Sequence, residues 1–224
     1  MDKSALIKKA ILLFAATPFI LGLAFFLPAG TLDYWQAWVY ISVILIPASF
    51  VVLYFIKNDP EFLERRLKMK EKEAKQKFII KATALIFTIS FLLPGFDKRF
   101  GWSNTPAELV IAANIIVLLS YLFIFLVFKE NSYAGRTVEV VSGQKVISTG
   151  PYSIVRHPMY VGVILMYSAT PIALGSYIAL PFFLLLIPFI VLRILNEEEV
   201  LRRDLPGYSE YCQKTRYRLL PFVW

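Results

Sequence analysis

The sequence is short of the groups that soluble enzymes most often use for chemistry. It has one histidine, one cysteine and only 10 glycines in 224 residues. A lone cysteine, Cys212, excludes a disulfide framework. One histidine and one cysteine without a cluster are too few for the usual zinc sites, so no metal is expected. No glycine-rich phosphate loop and no GxSxG nucleophile elbow occur. No internal repeat or low-complexity tract stands out. Cys212 lies well before the closing "LLPFVW", so no C-terminal lipidation box is expected. Charge is scarce too. Charged residues make up 18% and hydrophobic residues 58%, against about 25% and about 45–50% in ordinary soluble domains.

What is present is long apolar runs. Six windows approach the ~20 residues that cross a bilayer: residues 10–27, 37–56, 78–93, 109–128, 159–174 and 178–195. The expected fold is an all-α integral membrane protein of five to six transmembrane helices, forming one domain over residues 1–224. Residues 1–128 would carry four N-terminal helices and residues 129–224 the functional region. The first window is too long for a secretory leader and lacks a small-x-small site, so it is expected to be a retained helix. The last two windows are short and hold Pro171, Pro181 and Pro188. They read as a tight helical hairpin turning near Gly175 and Ser176, with full crossing left open.

Charge sets the expected orientation. With six spans, 22 of the 24 Lys and Arg fall on one side, and only Lys98 and Arg99 on the other. The positive-inside rule then places both termini and the functional region in the cytoplasm. Topology and anionic lipid account for the net charge of +8, so membrane lipids are expected partners and nucleic acid is not. The stretch "NDPEFLERRLKMKEKEAKQK" (58–77) is expected as a helix. Asp59 suits its cap, Pro60 its first position and Glu61 the positive end of its dipole.

Polar chemistry has two places to sit. One is the loop "KENSYAGRTVEVVSGQKVISTGPYSIVR" (129–156), in which the "TVEVVSGQKVIST" part reads as extended around a Ser-Gly turn. It runs into "RHPMY", where Pro158 opens a helix and Tyr160 suits an aromatic belt, but architecture alone gives His157 no task. The other is "RILNEEEVLRRDLPGYSEYCQKTRYRLLPFVW" (193–224), where Arg193 and Glu197 share a helix face. A hairpin is an even number of crossings, so its two ends emerge together. His157, at the entrance, is therefore expected beside the glutamates at the exit. A polar cluster under an apolar wall is a candidate site.

The run "GQKVISTGPYSIVRHPMYVG", a hairpin, "EE" and "LPGYSEYCQKTRYRLLP" resembles the isoprenylcysteine carboxyl methyltransferase family. The likeness is strongest to its prokaryotic branch, which is grouped with the phospholipid N-methyltransferases. It covers residues 142–221, with weaker echoes in "LDYWQAWVY" and "NDPEFLERRL". It implies S-adenosylmethionine as cofactor and a lipophilic methyl acceptor, most often a carboxylate, with phospholipid or other amines as the alternative. Carried over by position, Gln144, Lys145, Val146 and Ile147 would line the cofactor. Tyr152 would pack on its adenosine or methionine part. His157, Pro158, Met159 and Tyr160 would form a wall, and Glu197 or Glu198 would close the pocket. Arg193 would face the acceptor. The sterol C14-reductases, NADPH enzymes of about twice the length, resemble the same C-terminal region and are a rival reading, as is a non-catalytic scaffold.

Overall fold

The computed structural model describes residues 3–68 and 74–224. Two long apolar helices come first, α1 (Lys3–Ala29) and α2 (Trp35–Asn58), followed by a short helix, α3 (Pro60–Arg66). Next are α4 (Ala74–Phe100) and α5 (Ala107–Glu130). An irregular segment and a single 3-10 turn (Gly150–Ser153) lead into α6 (Pro158–Ala173). The chain ends with α7 (Leu180–Leu184), α8 (Leu186–Asp204) and α9 (Tyr208–Lys214).

Among the described residues, five stretches are long and apolar enough to cross a membrane: Ser4–Ala29, Trp35–Asn58, Gln76–Phe100, Ala107–Glu130 and Leu180–Asp204. The last joins α7 and α8 end to end. The sixth expected span, α6, has 16 residues, about 24 Å at 1.5 Å per residue, against ~30 Å of hydrocarbon. It is short because the polar turn before Pro158 starts the helix late. Large side chains such as Phe19 (74% exposed), Leu12 (70%) and Phe78 (72%) point outward. A contiguous apolar exterior of this kind suits lipid and not water.

Helix α5 packs along α6, α1 along α4, α2 against α5 and α8 against α4. Two glycines permit this closeness. A Cβ on Gly162 would stand 2.6 Å from Ile124 Cγ1, and one on Gly95 would stand 2.6 Å from the Phe25 carbonyl oxygen. Small residues let helices approach where lipid supplies no hydrophobic drive between them. The main core gathers Phe25, Tyr34, Tyr40, Phe91, Val117 and Phe183. Polar knots tie its ends. Tyr34 Oη donates to the Leu174 carbonyl at 2.6 Å. Asp97 is buried and accepts from Ser103 N at 2.7 Å, Ser103 Oγ at 2.6 Å and Ser176 Oγ. This fixes the Gly175–Ser176 turn against the α4–α5 connection.

Two expectations are modified. The helix expected over 58–77 begins as foreseen: Asp59 Oδ1 accepts from Phe62 N at 2.9 Å and Pro60 fills the first turn. It stops at Arg66, however, and residues 69–73 lie outside the described residues. The "TVEVVSGQKVIST" stretch forms no strand ladder, because no neighbouring strand is there to pair with it among the described residues. Its backbone is held by turns and side chains instead.

Candidate functional site

The late start of α6 builds the site. Arg156 N and His157 N donate to the Tyr217 and Arg218 carbonyls at 2.9 and 3.0 Å. The C-terminal tail is thereby stitched along the approach to α6. Arg156 then turns inward. Its Nη1 donates to the Thr215 and Arg216 carbonyls at 2.8 and 2.7 Å, and its Nε to Glu198 Oε1 at 2.6 Å. His157 Nε2 is 3.3 Å from that same oxygen. Arg218 reaches Glu198 Oε2 at 3.1 Å and Arg202 stands 3.7 Å from it. Glu198 is thus a buried hub joining α8, the entrance of α6 and the tail. The imidazole and the acidic run converge as the hairpin geometry requires.

One turn into α6 a second chain of contacts begins. Tyr160 Oη donates to Glu197 Oε2 at 2.7 Å and accepts from Arg193 Nε at 2.9 Å. Arg193 Nη1 donates to Gln76 Oε1 at 3.1 Å and Nη2 to the Arg136 carbonyl at 2.6 Å. Gln76, fully enclosed, returns a bond from Nε2 to the Arg193 carbonyl at 3.3 Å. Arg193 and Glu197 share a helix face as the sequence suggests, but the Tyr160 hydroxyl links them.

These groups border a cleft with about 840 Å³ of non-atom space, part of it open to solvent. Gln144, Lys145, Val146 and Ile147 line one wall. Tyr152, His157, Met159 and Tyr160 line another, with Arg193 and Glu197 from α8. Pro158 and Glu198 do not border the cleft. Pro158 opens α6 and Glu198 is turned into its ion cluster. Gln144 also shapes its own loop. Its Oε1 accepts from Val141 N at 3.0 Å and its N donates to the Val141 carbonyl at 3.1 Å, around Gly143 at φ +75°.

Several lining residues went unforeseen. Tyr208 and Tyr211 enter from α9, placed by Gly207 at φ +84°. Tyr211 Oη donates to the Tyr152 carbonyl at 2.7 Å, and burial pushes its phenol up to about 12, so it stays a donor. The Tyr208 hydroxyl is enclosed and makes no hydrogen bond. The "LPGYSEY" spacing carried this signal. The α3 contribution carried less. Arg65 grips Ser132 through its carbonyl at 3.0 Å and its hydroxyl at 2.9 Å, and Lys68 pairs with Glu139. The segment from 131 to 139, which lines the cleft, is therefore clamped from the N-terminal half.

The residues present suit a nucleoside-bearing cofactor. The cleft combines a carboxylate, an imidazole, an amide and several tyrosines, and one of those tyrosines keeps a buried hydroxyl without a partner. The arrangement defines a polytopic helical membrane protein with a cleft between its last hairpin, the preceding loop and the tail. Residues 109–205 match the family model described as phospholipid methyltransferase. The solved structure of the eukaryotic intramembrane Ras methyltransferase ICMT (isoprenylcysteine carboxyl methyltransferase) covers 96% of this chain and 77% of its own, with TM-score 0.55 and 20% identity. At that identity the likeness is one of fold. Among curated proteins, Delta(14)-sterol reductase TM7SF2 of Mus musculus is 31% identical over 106 residues, 43% of this chain and 25% of that protein. The nickel-cobalt-cadmium resistance protein NccN of Alcaligenes xylosoxydans xylosoxydans is 35% identical over 83 residues, 34% of this chain and 37% of that protein. The chain therefore spans about a quarter to somewhat over a third of these two relatives. The family match thus covers less than half of the chain, and the likeness to the solved structure is one of fold alone.

Proposed function

We propose that the chain is an S-adenosylmethionine-dependent methyltransferase of the membrane, acting on a lipophilic carboxylate of the isoprenylcysteine type. The observation that carries this reading is the Tyr160 hydroxyl held between Arg193 and Glu197. It joins a cation suited to an acceptor with a carboxylate suited to a cofactor, across one side chain.

The wall of Gln144 to Ile147, with Tyr152, His157, Met159, Tyr160 and Glu197, would hold the cofactor. When bound, S-adenosylmethionine supplies an electrophilic methyl group on a sulfonium. The chain's own residues do the rest. A carboxylate is already ionised at neutral pH and needs no general base. It needs alignment, which is worth ~7–11 kcal/mol in well-oriented reactions. Arg193, held by Tyr160, Gln76 and the Arg136 carbonyl, is pre-oriented to grip it by a charge-assisted contact. An amine acceptor would need deprotonation, and His157 is committed to the Glu198 hub. That favours the carboxylate over phospholipid amines. The charge distribution supports a cytoplasmic site, with the cofactor arriving from water and the acceptor from lipid.

The likeness to Delta(14)-sterol reductase favours a second reading, a nicotinamide-dependent reductase. Titrating the purified protein with S-adenosylmethionine and with NADPH separates the two. Saturable S-adenosylmethionine binding is expected, and NADPH binding alone would reverse the assignment. Membranes incubated with methyl-labelled S-adenosylmethionine should yield a lipophilic product whose label is lost in base, as for an ester. Base-stable label on an amine would replace the carboxylate.

A further inference from the structure

The segment from Arg218 to Trp224 folds back on itself. The Arg218, Leu219 and Leu220 N–H groups all donate to the Trp224 backbone oxygen, at 2.8, 3.0 and 3.2 Å. Val223 N and Trp224 N donate to the Leu220 carbonyl at 3.2 and 3.1 Å. The side chains of this loop then part in two directions. Leu219 is buried with Tyr160, Ile190 and Ile194, and Trp224 packs against the same cluster. Ile190 and Ile194 belong to the apolar stretch Leu180–Asp204. The loop therefore lies along the side of a membrane-crossing helix and not out in bulk water. Leu220 (54% exposed), Phe222 (88%) and Val223 (76%) point away from the protein.

Phe222 reaches its position through a strained backbone. Its φ is +66°, and among the described residues it is the one non-glycine residue with positive φ, a region that bulky side chains rarely enter. A strained turn that pushes an aromatic ring into water is unfavourable twice over. The same ring set among acyl chains gains from being exposed.

The base of the loop is cationic. The guanidinium groups of Arg156, Arg202 and Arg218 meet on the single carboxylate of Glu198, which offsets one of the three charges. The Arg202 side chain stays 44% exposed and that of Arg218 27%, and Arg216 is exposed on the same tail. Arg218 also lies over the Trp224 ring, 5.1 Å from its centre. An apolar tip alone would suit any lipid or a second protein. Cations around its base favour an anionic membrane surface.

We propose that the tip formed by Leu220, Phe222 and Val223, with Arg202, Arg216 and Arg218 at its base, is a docking surface for anionic phospholipid in the leaflet on the cleft's side of the membrane. Phe222 and Val223 enter the acyl boundary, and the guanidinium groups hold lipid phosphates by charge-assisted contacts. The proposal does not rest on the methyltransferase reading. The tail that carries the loop also pairs with the backbone of Arg156 and His157, so the lipid contact and the entrance of α6 share one segment.

The test places the full chain in nanodiscs of phosphatidylcholine and of an equimolar phosphatidylcholine–phosphatidylglycerol mixture. A nitroxide is attached at Val223→Cys or, for reference, at Glu210→Cys on the exposed side of α9. Cys212 is buried, and the native chain carried through the labelling sets the blank. Collision rates are read with oxygen, which concentrates in lipid, and with a water-soluble nickel chelate. In the mixed lipid the oxygen-to-nickel ratio at position 223 should exceed that at 210 by at least about fivefold, and it should fall about threefold or more in phosphatidylcholine alone, as lost surface attraction for several cations implies. A double variant, Arg202→Gln with Arg216→Gln, should keep the native unfolding midpoint and give the lower ratio in both lipids. A ratio at 223 no higher than at 210 in the mixed lipid overturns the proposal, as does a native ratio that is the same in both lipids. So does a double variant that keeps the native response to phosphatidylglycerol. A label shielded from both reagents marks protein over the tip, such as a second copy of the chain, and overturns it too.

Discussion

Glu197 and Glu198 are adjacent in sequence and turned to opposite tasks. Glu197 faces the cleft and accepts from Tyr160 Oη at 2.7 Å. Glu198 is buried among Arg156, His157, Arg218 and Arg202. On a helix, neighbours are separated by about 100°, so one side of α8 faces the cleft and the next faces the tail. Position alone left the choice between the two glutamates open; Glu197 borders the cleft and Glu198 does not.

The Glu198 hub should be a stability element. Glu198→Ala leaves Arg156 charged, buried and stripped of its carboxylate, which costs about 3–5 kcal/mol in comparable buried pairs. At ~2–4 °C per kcal/mol for chains of this size, thermal unfolding in detergent should fall by roughly 10 °C. A shift no larger than that of an exposed substitution such as Glu210→Ala would remove the hub from the account.

Glu197→Gln should behave in the opposite way. Glutamine keeps an acceptor for Tyr160 and leaves the hub alone, so thermal stability should hold. The cofactor should bind about 10- to 100-fold more weakly, given the ~1.5–3 kcal/mol of a hydrogen bond to a charged group. Calorimetric titration with S-adenosylmethionine decides it, and unchanged affinity would take Glu197 out of the cofactor site.

Much of this was legible in the chain, and the reasons differ by residue. His157 and Glu198 lie 41 positions apart, yet a hairpin must return its ends to one side, so their meeting follows from counting crossings. The Asp59–Pro60 start of α3 follows from local capping chemistry. The contact between Gln76 and Arg193 was not legible. Gln76 and Arg193 are 117 positions apart, on α4 and α8, and no local pattern says which helices become neighbours. The β-branched run near residue 140 suggested extension, but strand propensity needs a partner strand and none of the described segments supplies one.

Arg193→Ala should separate turnover from cofactor binding. Its guanidinium contacts Tyr160, Gln76 and the Arg136 carbonyl, and none of these depends on the cofactor. Turnover with a carboxylate acceptor should drop by about 10²-fold or more, as removal of a positioning charge does, while S-adenosylmethionine affinity changes less than threefold by the logic of separate contacts. Equal loss of both would place Arg193 on the cofactor.

The Asp97 knot lies at the far end of α6 from the cleft, so its loss should lower stability and spare binding. Asp97→Ala leaves the Ser103 and Ser176 donors without their acceptor, at about 1–3 kcal/mol for each buried group stranded. The unfolding midpoint should fall, and the protein that remains folded should bind S-adenosylmethionine as the native chain does. A weakened affinity at temperatures well below the midpoint would show that the turn and the cleft are coupled through α6.

Gly95 and Gly22 give a matched pair for the packing argument. Both lie inside long apolar helices, where alanine is intrinsically favoured over glycine by about 0.5–1 kcal/mol. At Gly22 a Cβ would meet only the Phe26 ring, at 3.9 Å. At Gly95 it would stand 2.6 Å from a backbone oxygen and 2.9 Å from Pro28 Cβ, and neither can swing away. Gly22→Ala should therefore be neutral or slightly stabilising. Gly95→Ala should cost about 1–3 kcal/mol, as overpacking does, because α1 and α4 must separate to admit one methyl group. Thermal unfolding of the two variants in the same detergent checks this, and equal midpoints would mean that these helices are not held as closely as their glycines allow.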